Sequence, residues 1–233
     1  MSICRNTGSA KRLEGNVYVI TFFVSKEEWS VDEKTGIFKQ MRDAESWLER
    51  TAAGYGKKLR FVNGVHGLFE PFNVDIVPDY DAGGVSENIA MKYLALAGCP
   101  YRGYSDWVRR NSGCEQSLVF VIANSKGRGY ATPIGSNVSV DNPEGAILYH
   151  STGSPLYAGD IIHEILHLFG AEDLYAVSDK MKEIDRLVEE KFPHEVMHRT
   201  HFPLKELMIS PLTAWLVGLS DKKEPWFDSF LLS

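Results

Sequence analysis

Apolar positions along the chain fall into short unbroken runs in its first two thirds and into helical stripes after that. Val17–Val24 is an eight-residue run interrupted only by Thr21, and Ser117–Ala123 (SLVFVIA) is a second such run. Both read as strands buried on both faces of a sheet. Lys58–Val62, Val74–Val77, Arg128–Ala131 and Ala146–His150 are further strand candidates, separated by Gly, Pro and Asn. Met41, Ala44, Leu48, Ala52 and Tyr55 recur at helical spacing, which predicts a helix over about 40–55 that Gly54 and Gly56 close. Ser86–Ala97 predicts another, stopped by Gly98-Cys99-Pro100. After residue 150 the texture turns helical. Ser154-Pro155 has the form of an N-cap followed by a first-turn proline, opening a helix that runs to Phe169 and stops at Gly170. Met181, Ile184, Leu187 and Val188 mark a helix at about 179–192, and Ser210-Pro211 opens a last one ending near Gly218. No linker intervenes. The expectation is an α/β (α+β) fold in one domain over 1–233, with an upper subdomain at about 15–170 and a lower one at about 171–233.

Composition narrows the class. The 233 residues are 44% hydrophobic and 24% charged, with a net charge of −6, which excludes disordered, collagen-like and coiled-coil readings. The acidic balance argues against nucleic acid or an anionic membrane as the main partner. The longest apolar run is far short of the roughly 20 residues a membrane helix needs. Arg5, Lys11 and Arg12 ahead of Val17–Val24 imitate a signal peptide, but Ser25-Lys26-Glu27-Glu28-Trp29 offers no small-residue cleavage site. The expected location is the cytoplasm, or export without a classical signal peptide. Cys99 and Cys114 either bridge, leaving Cys4 free, or all three cysteines are reduced; no CxxC pair suggests a thiolate metal site.

The chemistry concentrates in His163-Glu164-Ile165-Leu166-His167-Leu168-Phe169-Gly170-Ala171-Glu172-Asp173. Residues four apart share a helix face, so His163 and His167 are placed to hold one Zn²⁺ through imidazole nitrogens. Glu164 beside them is placed to take a proton from a zinc-acidified water and deliver it to a leaving amine. Gly170 tolerates a left-handed turn that would return Asp173 to the metal as third ligand, with Glu172 as the alternative.

This HExxHxxGxxD segment resembles the signature of the metzincin zinc peptidases, in the variant with Asp as third ligand that snapalysins carry. The resemblance implies a mixed twisted sheet with two helices above the cleft, the second bearing the motif, and a mostly helical or irregular lower subdomain below. It implies one Zn²⁺ per chain, a protein or peptide substrate, and a methionine-bearing turn beneath the metal. It also implies an edge strand, here Arg128-Gly129-Tyr130-Ala131, that pairs with extended substrate. About 15 residues precede the first strand, too few for an inhibitory pro-domain.

His194-Glu195-Val196-Met197-His198 is a second HExxH, but Pro193 and Pro203 bracket it and few apolar residues anchor a helix there. We read it as the methionine turn, with Met197 under the metal and Met208 as the rival. His198 and Arg199 are then candidate transition-state stabilisers. Two other readings are a zinc hydrolase whose third ligand is Glu189, Glu190 or Glu195, and a non-catalytic metal-binding module. Asp79-Tyr80-Asp81-Ala82-Gly83-Gly84 reads as a plain turn, and His66 and His150 as structural.

Overall fold

A computed structural model describes residues 8–25, 29–70, 93–100, 102–132, 143–151, 153–176 and 181–231. The candidate strand Val74–Val77, the Asp79–Gly84 turn, Cys4 and most of the helix proposed at 86–97 lie outside them.

Five strands form one sheet: β1 (Gly15–Val24), β2 (Leu59–His66), β3 (Gln116–Asn124), β4 (Tyr130–Thr132) and β5 (Gly145–His150). Their order is β2-β1-β3-β5-β4, parallel throughout except for β4, which runs antiparallel to β5 at the edge. β1 and β3 are its adjacent central strands, and both faces of the sheet are covered, which is why their sequences are apolar without alternation. On one face Val17, Val19, Phe23, Leu118, Phe120 and Leu148 join a large core cluster; on the other Ile20, Phe22, Val24, Val119 and Val121 join a smaller one. Each such side chain contributes about 1.5–3 kcal/mol by leaving water.

The helices are α1 (Val31–Gly54), α2 (Tyr104–Ser112), α3 (Ala158–Leu168), α4 (Lys182–Lys191), α5 (Pro211–Leu216) and α6 (Phe227–Leu231). α1 starts well before the expected residue 40 because Ser30 caps it. The Ser30 hydroxyl accepts from the Glu33 amide at 3.2 Å and donates to the Glu33 carboxylate at 2.6 Å. Its buried stripe of Ile37, Met41, Ala44, Leu48 and Ala52 packs on the large-cluster face beside α3. The helix over 104–112 has no counterpart in the periodicity reading. It covers the opposite face through Tyr104 and Val108, with the Tyr104 hydroxyl 2.9 Å from the Ser117 hydroxyl. It is a helix beyond the two that the resemblance implies above the cleft, and beyond the one that the periodicity predicts at 86–97.

α3 begins at Ala158 rather than at Pro155. Tyr157 is its N-cap residue, and Asp160 accepts from the Tyr157 amide at 3.1 Å, while Ser154 makes a β-bridge with Ser151. The Ala158 amide donates to Gln40 of α1 at 3.1 Å, so a tertiary partner fixes where the helix starts. α5 does open at Ser210-Pro211, with the Ser210 hydroxyl accepting from the Thr213 amide at 3.3 Å.

The large cluster runs from Ala10 to Phe230 and takes in α1, α3 and the residues of α4, α5 and α6 that face inward. The segment at 8–14 ties the sheet to the C-terminal part. Ala10 donates to the buried Glu144 carboxylate at 2.6 Å, and Leu13 to the Val217 carbonyl at 2.8 Å. Cys99 and Cys114 are both free and buried, so the bridge considered between them is not made. Among the described residues no helix is long and apolar enough to cross a membrane.

Candidate metal centre

α3 carries the apolar positions Ile161, Ile162, Ile165 and Leu166 into the core and leaves His163 and His167 on one remaining face. The helix closes as Gly170 adopts φ 96°, and the Ala171 amide donates back to the Leu166 carbonyl at 2.9 Å. That reversal places the Asp173 carboxylate at the histidine rings. His163 Nε2 and His167 Nε2 are 3.0 Å apart, and Asp173 Oδ1 is 3.1 Å from the first and 3.2 Å from the second. The two rings meet edge to face, at 89°. Glu172 is exposed, so Asp173 is the carboxylate brought to this cluster.

The opposite nitrogen of each ring is engaged. His163 Nδ1 lies 3.0 Å from the Val196 carbonyl oxygen and His167 Nδ1 2.9 Å from that of Ala171. A carbonyl oxygen only accepts, so both Nδ1 atoms carry the hydrogen, and in the neutral rings both Nε2 atoms present bare lone pairs. Two nitrogen lone pairs and a carboxylate oxygen then crowd within 3.2 Å with no hydrogen among them. Such a trio repels itself unless it shares a cation or a proton. A tetrahedral zinc with bonds of about 2.0–2.1 Å separates its ligands by about 3.3 Å, close to the spacing found, so the donor set fits that ion.

The titration behaviour follows from the same neighbours. Burial raises the Asp173 carboxyl, but a histidine ring that takes up the shared proton on Nε2 donates it to Asp173, which outweighs burial and holds the group well below the usual carboxylate range. Burial disfavours a charged His167 ring; the Asp173 carboxylate and the Ala171 carbonyl, which accept its two hydrogens once it is charged, reverse this, and the net shift is upward. Burial also raises Glu164, opposed by His163, His167 and Arg128. Glu164 is 7% exposed, and its Oε2 has no hydrogen-bond partner among the described residues. An orphaned buried carboxylate oxygen beside the trio is a group still lacking its donor.

The turn at 195–198 lies directly under this centre. Besides the Val196 carbonyl on His163, the Met197 carbonyl accepts from the Leu174 amide at 3.0 Å, and the Met197 side chain is fully buried. Met208 sits behind the turn, its backbone bonded to His194 and Val196. The second HExxH is not helical: its His194 Nδ1 is 3.1 Å from the Glu206 carbonyl, and its His198 Nε2 is 2.6 Å from Asp185 of α4. Glu195 is completely buried, accepting from the Met197 amide, the Ser210 amide and the Thr213 hydroxyl. Arg199 pairs with Glu189 at 2.5 Å. Glu189 and Glu195 are thus engaged away from the histidine pair.

An open cleft of about 1080 Å³ exposes the cluster. One wall is Gly127, Arg128, Gly129, Tyr130 and Ala131, the floor holds His163, Glu164, His167 and Asp173, and the far wall is His198, Arg199, Thr200 and His201. The edge strand is offset from the expected Arg128–Ala131: β4 covers Tyr130–Thr132, with Arg128 and Gly129 just ahead of it. Gly129 approaches so closely that a Cβ there would lie 3.2 Å from Glu164 Oε1. Tyr175, which no motif marked, also lines the cleft, and Arg128 donates to its hydroxyl. Its only sequence signal is a position two residues past Asp173. His66 stacks on Phe22 and His150 accepts from the Leu156 amide, both away from the cluster.

The chain is thus a mixed α/β protein whose mostly parallel five-stranded sheet presents a His-His-Asp cluster at the floor of an edge-strand cleft. No family model matches it, and no curated protein matches it in sequence.

Proposed function

We propose that this chain is a zinc-dependent endopeptidase of the metzincin kind, in which His163, His167 and Asp173 hold one Zn²⁺ and Glu164 is the general base and then the general acid. The observation that carries the reading is the trio of facing acceptors, with the orphaned Glu164 oxygen beside it. Zinc bound there supplies a Lewis acid that acidifies water and polarises a peptide carbonyl. The Val196 and Ala171 carbonyls hold the two rings in the tautomer that offers Nε2. Glu164, with its proton affinity raised by burial, accepts the proton from the attacking water and hands it to the departing amine. The Gly127–Ala131 wall offers backbone to an extended peptide, and the close approach of Gly129 to Glu164 sets that peptide near the base. Met197 floors the site. Asp185 holds His198 Nε2 and Glu189 holds Arg199 along the far wall, where the two stand as candidate stabilisers of developing negative charge.

The test is metal content by plasma mass spectrometry on wild type, His163→Ala, Asp173→Ala and His194→Ala, followed by cleavage of a denatured protein substrate. One zinc per chain, lost in the first two variants and kept in His194→Ala, with cleavage abolished by Glu164→Gln, is the expected result. Zinc retained in His163→Ala overturns the site. Zinc binding with equal results for wild type and Glu164→Gln overturns the peptidase and leaves a metal-binding module.

A further inference from the structure

The cleft is lined by the carboxylates Asp160, Glu164 and Asp173 and by the guanidinium groups Arg128 and Arg199. Most of these charges are already matched. Asp160 accepts from the Tyr157 amide at 3.1 Å and from the Thr200 hydroxyl at 2.6 Å. Glu164 and Asp173 together balance the two charges of the ion read into the trio. Arg199 on the far wall pairs with Glu189 at 2.5 Å. Arg128 has no carboxylate in ion-pair contact among the described residues.

Arg128 is nonetheless held in place. Its Nη2 donates to the Tyr175 hydroxyl, and its guanidinium carbon lies 5.7 Å from the centre of the Tyr175 ring. A phenol oxygen at one edge and a ring face beside it restrain a planar cation that is otherwise exposed. A guanidinium carries five N–H donors, and the phenol takes one of them. A planar group with spare donors and a set orientation matches a carboxylate, which accepts two parallel N–H bonds. The position bears on the chemistry as well. A Cβ on the next residue, Gly129, would lie 3.2 Å from Glu164 Oε1. An extended chain advances about 3.3 Å per residue, so a carboxylate at Arg128 sits within about three residues of the bond that faces Glu164.

We propose that Arg128 is a specificity-determining residue that receives a carboxylate of the bound peptide, so that the cleft selects peptides with an acidic group close to the cleaved bond. This rests on the reading of the cleft as a peptidase site. An Asp or Glu side chain and a free C-terminus present the same group to the guanidinium. The net charge of −6 repels acidic peptides at long range, so the selection is made by contact at Arg128.

The test is capture of a randomised decapeptide pool on immobilised full-length Glu164→Gln protein, loaded with zinc, with bound peptides sequenced by mass spectrometry. Half of the pool carries a free C-terminus and half is amidated. Enrichment of acidic peptides by about tenfold over the starting pool is expected, falling to none when Arg128→Gln is added. Enrichment of internal Asp and Glu in the amidated half assigns a side-chain carboxylate; enrichment confined to the free-acid half assigns the C-terminus. Arg199→Gln, whose guanidinium is already paired, is expected to keep the preference. Absence of enrichment, enrichment that survives Arg128→Gln, or loss in Arg199→Gln alone overturns the proposal. Cleavage by the wild-type chain without acidic preference overturns this inference and leaves the peptidase. Acidic preference lost in Arg128→Gln, with no cleavage by wild type, overturns the peptidase and leaves Arg128 as a carboxylate receptor.

Discussion

His163 Nδ1 lies 3.0 Å from the carbonyl oxygen of Val196, joining the middle of α3 to a turn 33 residues further along the chain. The bond fixes which nitrogen of the ring carries hydrogen, and so turns Nε2 toward Asp173. It also makes the candidate metal centre and the turn beneath it one mechanical unit: whatever loosens the turn lets the first histidine rotate.

Metal binding and folding are accordingly expected to be coupled. An ion that binds the folded chain alone stabilises it by about 4 kcal/mol when present at about 1,000 times its Kd. For a domain of this size that corresponds to roughly 10 °C in Tm. Differential scanning fluorimetry of metal-stripped protein with and without zinc measures the shift, and His167→Ala is expected to abolish it.

Glu195 is the clamp of the turn. Its buried carboxylate collects the Met197 amide, the Ser210 amide and the Thr213 hydroxyl, joining the turn to the start of α5. Removing it strands buried donors, so Glu195→Ala is expected to cost about 3 kcal/mol or more in urea unfolding. A loss below about 0.5 kcal/mol would show that the turn is held by packing alone.

A pH dependence is expected away from the cleft. Glu45 on α1 is 1% exposed, and burial pushes its carboxyl up to about 7, against the Asn63 and Arg42 contacts that lower it. Asn63 Nδ2 donates to Glu45 Oε2 at 3.0 Å, while Glu45 Oε1 and Asn63 Oδ1 have no partners among the described residues. A proton on Glu45 Oε1 directed to Asn63 Oδ1 would satisfy both. Because the folded-state value is raised, this contribution to stability is complete below about 4.5 and is lost as pH rises through about 7. The loss is of order 3 kcal/mol. Urea midpoints between pH 4.5 and 8 measure it, and Glu45→Gln is expected to flatten that part of the profile.

Gly159 shapes the far wall of the cleft. A Cβ there would overlap the carbonyl oxygen of Thr200, backbone against backbone, so Gly159→Ala forces α3 and the 198–201 segment apart. The expected cost is about 1–3 kcal/mol, read as a lowered urea midpoint. If the proposed function holds, KM rises because the wall moves while Glu164 stays in place. A variant as stable as wild type would show that the segment yields freely.

Much of this protein is determined by its sequence alone, wherever the cause is local. β1 and β3 follow from apolar runs that only a covered sheet accommodates, and the spacing of His163 and His167 fixes their shared face by helical geometry. Gly170 supplies the left-handed turn that returns Asp173, and the prolines flanking 194–198 exclude a helix there. Ser30 is likewise a local N-cap, accepting from the Glu33 amide, and α1 begins just after it. What the tertiary structure decided is what depends on partners distant in sequence. Gln40 of α1 fixes the start of α3 at Ala158, and Asp185 rather than a metal engages His198. Two free thiols end up buried without a bridge. Arg128 reaches across the cleft to Tyr175, a contact between positions 47 residues apart. Local periodicity carries face and spacing, but hydrogen-bond partners and approach distances arise only when separate elements close on one core, and those contacts set the lone pairs that meet at Asp173.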